Sequence, residues 1–270
     1  MAVETPQVHG VENPVYSVVI PIRDRCGHAL RLCLKSVELQ TLQPLELIIV
    51  DYGSTEENHE KLMRLLPDCT VYHCKTDAPW SLSVARNIGL RRATARTSCS
   101  LDADLIMEPR VLEVAHRIHT AKPRTYMSTN VTILDFAAVD PATLTLPEDY
   151  DKLALARWTF GSEGWGGFVS ASTDWWHECQ GFDERMTVWG SEDVDMWKRA
   201  ARAGMSRYRL YVAGEEGTTV YHVHHPSIPV NAIRAKDKKV IAAIKQNSRW
   251  ARVTKGVRRN DEAWGLWRED

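Results

Sequence analysis

Along the first hundred positions, apolar residues come in short blocks. YSVVIPI (Tyr16–Ile22), LELIIVD (Leu45–Asp51), TVYHC (Thr70–Cys74) and TSCSLD (Thr97–Asp102) are such blocks. None alternates cleanly, so they predict strands buried on both faces. Between them, HALRLCLKSVELQ (His28–Gln40), Glu56–Leu66 and Trp80–Ala93 repeat apolar residues at helical spacing. Strand and helix in turn predict a mostly parallel central sheet flanked by helices, a Rossmann-like α/β architecture. The polar, proline-containing residues 1–14 show no periodicity and predict a loose arm.

Beyond Met107 the alternation weakens. A helix over Pro109–Thr120, a strand near Tyr126–Leu134, a loop rich in Pro, Asp and Thr, and a Trp/Gly-rich segment follow. A helix is predicted from about Ser191 to Ala203, with short strands around Arg207–Val212 and Thr219–Val223 and a basic helix at the end. The net charge of -1 gives no global reason to expect a nucleic-acid partner, although residues 231–259 hold ten Lys/Arg against one Asp. Six cysteines without a CxxC pair, and no N-terminal apolar segment, lead us to expect reduced thiols in a cytoplasmic protein. No stretch approaches the roughly 20 apolar residues that cross a bilayer.

Parallel sheets bind ligands beyond the carboxyl ends of their strands. The polar residues that follow three of these strands are Arg23–Arg25, Asp51–Ser54 and Asp102–Asp104. Asp102 and Asp104 flank one alanine, so on an extended end both carboxylates face one way. Two like charges that close raise each other's pKa, and a hard divalent cation relieves the conflict. An acidic turn capping the helix at Pro109 would give the same letters. A carboxylate at Asp51 suits a base or ribose, or equally a turn.

SVVIPIRDR, LELIIVDYGST, APWSLSVARNIGLRRA and SLDAD, in this order, resemble the nucleotide-binding half of the GT-A glycosyltransferases, particularly family 2. The resemblance covers about residues 16–108. It implies 15–108 as the nucleotide-binding half of a GT-A domain and 109–230 as its acceptor and donor-sugar half. A basic helical tail over 231–270 completes the expectation. It further implies Pro21, Arg23 and Asp51 at the nucleoside, Arg86 beside the diphosphate with Ala85 and Asn87, and Asp104 with Asp102 at a Mn²⁺ or Mg²⁺ ion. The family's usual DDGS reads DYGS here, so Tyr52 departs from it while Asp51 stays.

GFDERMTVWGSEDVDMWKRAARAG (Gly181–Gly204) resembles the acceptor-side motif of family 2 and of the galactosyltransferase C-terminal domain, with Ser191 where the core WGGED has its second glycine. This implies Asp193 as the base that deprotonates an acceptor hydroxyl and Glu192 as the group orienting the sugars, with the two roles exchangeable. Two acids opening a helix would also simply complement its dipole. Asp195, two residues on, reads as structural. Gly166 and Gly167 in GWGGFVSAS would let backbone approach the donor sugar, and Trp165 and Trp189 would stack on sugar faces or fill core. In TVYHVHHP the resemblance favours His222 as a third metal ligand and His225 as a phosphate contact, with His224 the other candidate.

The implied activity is inverting, metal-dependent transfer from a nucleotide sugar, UDP-linked in the first instance, with galactose, N-acetylgalactosamine or glucose as the sugar and a GDP donor still open. The acceptor is left open as a saccharide, lipid, peptide or small molecule. Rival readings are a retaining transferase of the polypeptide N-acetylgalactosaminyltransferase type and a non-catalytic sugar-binding module. A nucleotidyltransferase would want a lysine in IPIRDRCG, which has none. The basic end reads as a membrane-surface helix, a lid over the diphosphate, or a solvated helix packed through Val240, Ile241 and Ile244.

Overall fold

The computed structural model describes residues 10–66, 68–134, 139–156, 166–210, 216–223, 231, 235–253 and 255–266. The expected strand–helix alternation is present as β1 (Tyr16–Ile22), α1 (His28–Glu38), β2 (Leu45–Tyr52), α2 (Glu56–Met63), β3 (Thr70–Cys74), α3 (Leu82–Leu90) and β4 (Thr97–Leu101). β5 (Leu105–Met107), α4 (Val111–Ala121), β6 (Thr125–Ser128), β7 (Thr132–Ile133) and α5 (Tyr150–Leu155) follow. The chain continues through β8 (Phe168–Ser172), α6 (Thr173–Cys179), α7 (Glu192–Arg202), β9 (Ser206–Arg209), β10 (Val220–His222) and α8 (Lys238–Val253).

Seven strands form one sheet in the order β3-β2-β1-β4-β8-β6-β9, and β5-β10-β7 form a second. β3, β2, β1 and β4 run parallel, whereas β8 lies antiparallel to both β4 and β6. All seven residues of β1 are buried, which explains its unbroken apolar run. α3 presses on β1 and β2 at Gly89, where a Cβ would overlap Val19 and meet Val50 at 3.1 Å. Side-chain caps at Thr55, Ser81 and Ser172 start α2, α3 and α6.

The predicted strand near Tyr126–Leu134 is two strands, because the chain leaves the large sheet after Ser128 and joins the small one at Thr132. α6 was not foreseen, since its TDWWHEC has no clear helical stripe; it buries Trp175 and Trp176. The basic end is packed. Arg259 is shielded and pairs with buried Asp195 at 3.0 Å, Arg91 donates to the Trp264 carbonyl at 2.6 Å, and α8 buries Asn247 and Ala251 while Val240, Ile241 and Ile244 are half-buried. Among the described residues, no helix is long and apolar enough to cross a membrane, and the cysteines are all unpaired.

Candidate active site

Because β1, β2 and β4 are parallel, their carboxyl ends deliver Arg23–Arg25, Gly53–Ser54 and Asp102–Asp104 to one edge. A cleft of about 300 Å³ opens there, lined by Asp24, Arg25, Cys26 and Gly27 on one wall and by Ala103 and Asp104 on the other. Such a volume suits a small-molecule ligand. Gly27 caps α1 with backbone alone, so the first turn of that helix faces the cleft as an anion-attracting end.

Asp104 and His222 are distant in sequence, and the small sheet joins them. β10 lies antiparallel to β5 with His222 opposite Leu105, which brings His222 Nε2 to 3.7 Å from Asp104 Oδ1. Both side chains are half-buried. An oxygen and an imidazole nitrogen at that separation fit two ligands of one divalent ion, whose bonds are about 2 Å long. His224 and His225 lie outside the described residues, as does Trp165.

Arg86 sits at the centre. Its side chain is wholly buried and donates through Nη1 to Asp193 Oδ1 at 2.8 Å, and through Nη2 to Asp102 Oδ1 at 3.0 Å and to the Gly166 carbonyl at 2.5 Å. Phe182 lies under the guanidinium, 5.0 Å from its carbon. Burial alone would lower the Arg86 pKa, but Asp193 and Asp102 outweigh it and drive the pKa up. The cation expected beside a diphosphate is thus buried among protein partners. Arg86 is an internal strut between the DxD strand end and the acids of α7. Asn87 is also buried and brackets Phe182 and Glu184 with three hydrogen bonds, facing away from the cleft.

α7 begins with Glu192 and Asp193 after a sharp turn in which Val188, Gly190 and Ser191 have φ of 69°, 98° and 76°. Serine in this left-handed region costs about 1 kcal/mol relative to glycine, and its Oγ lies 2.9 Å from that of Ser248 on α8. Asn247 of α8 donates to the carbonyls of Thr187 and Trp189, so the basic helix braces the turn. Trp189 is 48% exposed and Asp193 about a quarter, whereas Glu192 is only 5% exposed. Asp195 is buried in pairs with Arg199 and Arg259, the structural role expected.

The glycines serve closeness of a different kind from that expected. A Cβ on Gly166 would overlap the Asp193 carboxylate, and one on Gly167 would lie 2.7 Å from Leu105. The Gly167 carbonyl accepts from the Asp102 N–H at 2.8 Å. They let the strand entering β8 press against the acids.

Burial pushes Glu192 up to about 7, with the Asp193 charge adding to it. Burial likewise pushes Asp102 to about 7 against the opposing Arg86 charge. The Glu192 proton is thus held more tightly folded than unfolded, where the value is near 4.5. The stability it contributes is full at low pH and is lost as pH rises through about 7. Glu192→Gln does not titrate, so its Tm is expected to gain on wild type between about pH 4.5 and pH 7 and to level off above. A gap constant with pH would contradict this placement.

Two other expected residues are buried. Pro21 lies inside β1 opposite Val50 of β2, past the last β1–β4 pair at Val19–Ser100. Asp51 is 0% exposed; its oxygens accept from the Ser54 N–H at 3.3 Å and from His59 Nδ1 at 2.7 Å. Arg23 stays at the rim and donates to the Ala78 carbonyl at 2.7 Å.

Residues 17–135 match the family model Glycosyl transferase family 2, and residues 152–226 match one described as the N-terminal domain of galactosyltransferase, where the C-terminal domain was expected. The fold matches Staphylococcus aureus TarS, residues 1–349, with a TM-score of 0.52 at 14% identity, over 77% of this chain and 60% of that one. The chain has the GT-A fold. It is 27% identical over 266 residues to a chondroitin synthase of Escherichia coli, covering 85% of this chain and 38% of that protein. It is 33% identical over 97 residues to the uncharacterized glycosyltransferase YibD of Escherichia coli K12, covering 36% of this chain and 28% of YibD. An uncharacterized glycosyltransferase of Rickettsia conorii is 33% identical over 90 residues, 33% of this chain and 14% of that protein. The chain thus spans well under half the length of these curated relatives.

The buried Arg86 bridge and the cluster of His59 and His73 beside Asp51 escaped the sequence reading. The one signal for the second was parallel register, which sets His73 opposite Asp51.

Proposed function

We propose that this glycosyltransferase moves a hexosyl group from a UDP-sugar to an acceptor hydroxyl with inversion, and that it requires Mn²⁺ or Mg²⁺. The observation that carries the reading is the chain of contacts from His222 and Asp104 through Asp102 and Arg86 to Asp193, along the edge where the cleft opens. Asp104 and His222 would hold the ion, with Asp102 joining through a water. When bound, the ion supplies Lewis-acid stabilisation of the departing diphosphate.

The chain's own residues do the rest. Asp193 keeps Oδ2 for the acceptor proton, while Arg86 fixes its Oδ1. It is the more exposed of the two acids, which favours it over Glu192 as the base. Glu192, deeper and pushed to about 7, orients the sugar as a hydrogen-bonding group. The first turn of α1 lines the cleft where the nucleotide would lie, with Arg23 at its rim, and Trp189 offers an exposed ring to a sugar face. Similarity to a chondroitin synthase supports a saccharide acceptor.

Calorimetry of UDP binding tests the ion's place. Affinity in Mn²⁺ is expected to exceed that in EDTA by at least about tenfold, and Asp104→Ala and His222→Ala in Mn²⁺ should match wild type in EDTA. Equal affinities under all four conditions would remove the metal from the account.

A further inference from the structure

On the far side of the Gly53–Ser54 turn, β2, α2 and β3 gather a second set of ligand-type side chains. Asp51 lies at the end of β2, His59 in the first turns of α2, and His73 directly across from Asp51 in the β2–β3 register. Asp51 Oδ2 is 2.7 Å from His59 Nδ1 and 3.9 Å from His73 Nε2, and one donor atom from each residue lies within 4.8 Å of the others. The two imidazoles stack with centroids 3.5 Å apart and planes 8° from parallel.

His73 is the odd member. It is 7% exposed, and both its ring nitrogens are buried without a hydrogen bond. A buried polar atom left unbonded is costly, and in native proteins it calls for a partner. Burial, reinforced by the neighbouring His59, lowers the His73 pKa and keeps the ring neutral, the form that donates a lone pair to a metal.

We propose that Asp51, His59 and His73 form a binding site for a borderline divalent cation of the zinc class, separate from the ion at Asp104. Two imidazoles and one carboxylate favour Zn²⁺ or Co²⁺, whereas a carboxylate-rich site beside a phosphate favours Mn²⁺ or Mg²⁺. The ligand atoms of a tetrahedral zinc stand roughly 3.3 Å apart. His59 Nδ1 and Asp51 Oδ2 therefore need to part and His73 to close, and the two stacked imidazoles need to turn about their Cβ–Cγ bonds so that both lone pairs meet at the ion. For Nδ1 to bind the cation the ring proton sits on Nε2, so the cation takes the place of the His59–Asp51 hydrogen bond and no net proton is released. The His59 side chain, 16% exposed, gives the entry path and leaves a fourth position for water. Bound there, the ion would clamp β2, α2 and β3 together behind the turn whose Ser54 Oγ accepts from the Asp24 N–H at the cleft wall. The site stands independently of the transferase reading.

The test is calorimetry of the full chain, stripped with chelator and titrated with Zn²⁺, in wild type, His59→Gln, His73→Gln and Asp104→Ala, each checked for native circular dichroism. The cobalt spectrum of each is recorded beside it. Wild type and Asp104→Ala are expected to bind Zn²⁺ tightly and to show cobalt d–d bands. The histidine variants should lose affinity by more than about 100-fold, the upper end of what loss of a supporting group costs, and lose the bands. Should His73→Gln fail to fold, His59→Gln, at the less buried of the two histidines, carries the comparison. The proposal is overturned if wild type binds no Zn²⁺ tightly, if the folded histidine variants bind as well as wild type, or if the tight site disappears in Asp104→Ala.

Discussion

Arg86→Met is expected to cost the enzyme both stability and nearly all transfer. The guanidinium is wholly buried and answers Asp102, Asp193 and the Gly166 carbonyl at once. Removing one partner of a buried ion pair costs roughly 3–5 kcal/mol, because the abandoned charges stay in place. The loss here should sit near the lower end, since Asp102 and Asp193 each keep some contact with water. About 3 kcal/mol corresponds to a fall in Tm of roughly 10 °C in a domain of this size, measurable by calorimetry. With the strut gone, Asp193 and Asp102 repel one another and part, and a misplacement of about 1 Å is worth about 100-fold in rate. Arg86→Lys keeps the charge but reaches only part of the set, so it should recover much of the Tm and little of the rate. Wild-type rate in Arg86→Met would show that the bridge is incidental.

Asp193→Asn is expected to lower kcat by about 10²–10⁴-fold, the range for loss of a general base, while leaving UDP affinity in Mn²⁺ at the wild-type value. The split follows from position: Asp193 opens α7 and is bound by Arg86, apart from the Asp104–His222 pair proposed to hold the ion at the diphosphate. Steady-state kinetics with a fixed acceptor, set beside calorimetry, separates the two quantities. If Glu192→Gln rather than Asp193→Asn stops transfer, the base is Glu192 and the roles are exchanged.

Local patterns in the chain carried the fold's first half. The buried runs of β1, β2 and β4 lack alternation because helices cover both faces, and that is visible in a few residues of sequence. The ends of parallel strands then mark one edge, so Asp102 and Asp104 could be placed without knowing the tertiary structure. His222 beside Asp104 needed a family resemblance, because β10 returns to β5 from far along the chain. The burial of Arg86 was not legible, for a physical reason. An arginine on an amphipathic helix reads as solvated, and nothing local says that two carboxylates and a carbonyl await it inside. The surroundings of Asp51 were hidden similarly, since its neighbours His59 and His73 converge on it through helix packing and strand register. β6 and β7 were merged in the reading because the switch between two sheets leaves no break in a short apolar run.

The account's central claim is a metal-dependent transferase whose ion sits at Asp104. Nucleotide release from a panel of UDP-, GDP- and dTDP-sugars, in Mn²⁺ or EDTA, with wild type and Asp104→Ala, addresses it most directly. The account predicts that wild type turns over one UDP-sugar in Mn²⁺, that EDTA abolishes this, and that Asp104→Ala is silent in both. Turnover that persists in EDTA or in Asp104→Ala, or a panel in which no donor is turned over or bound in a metal-dependent way, would contradict it.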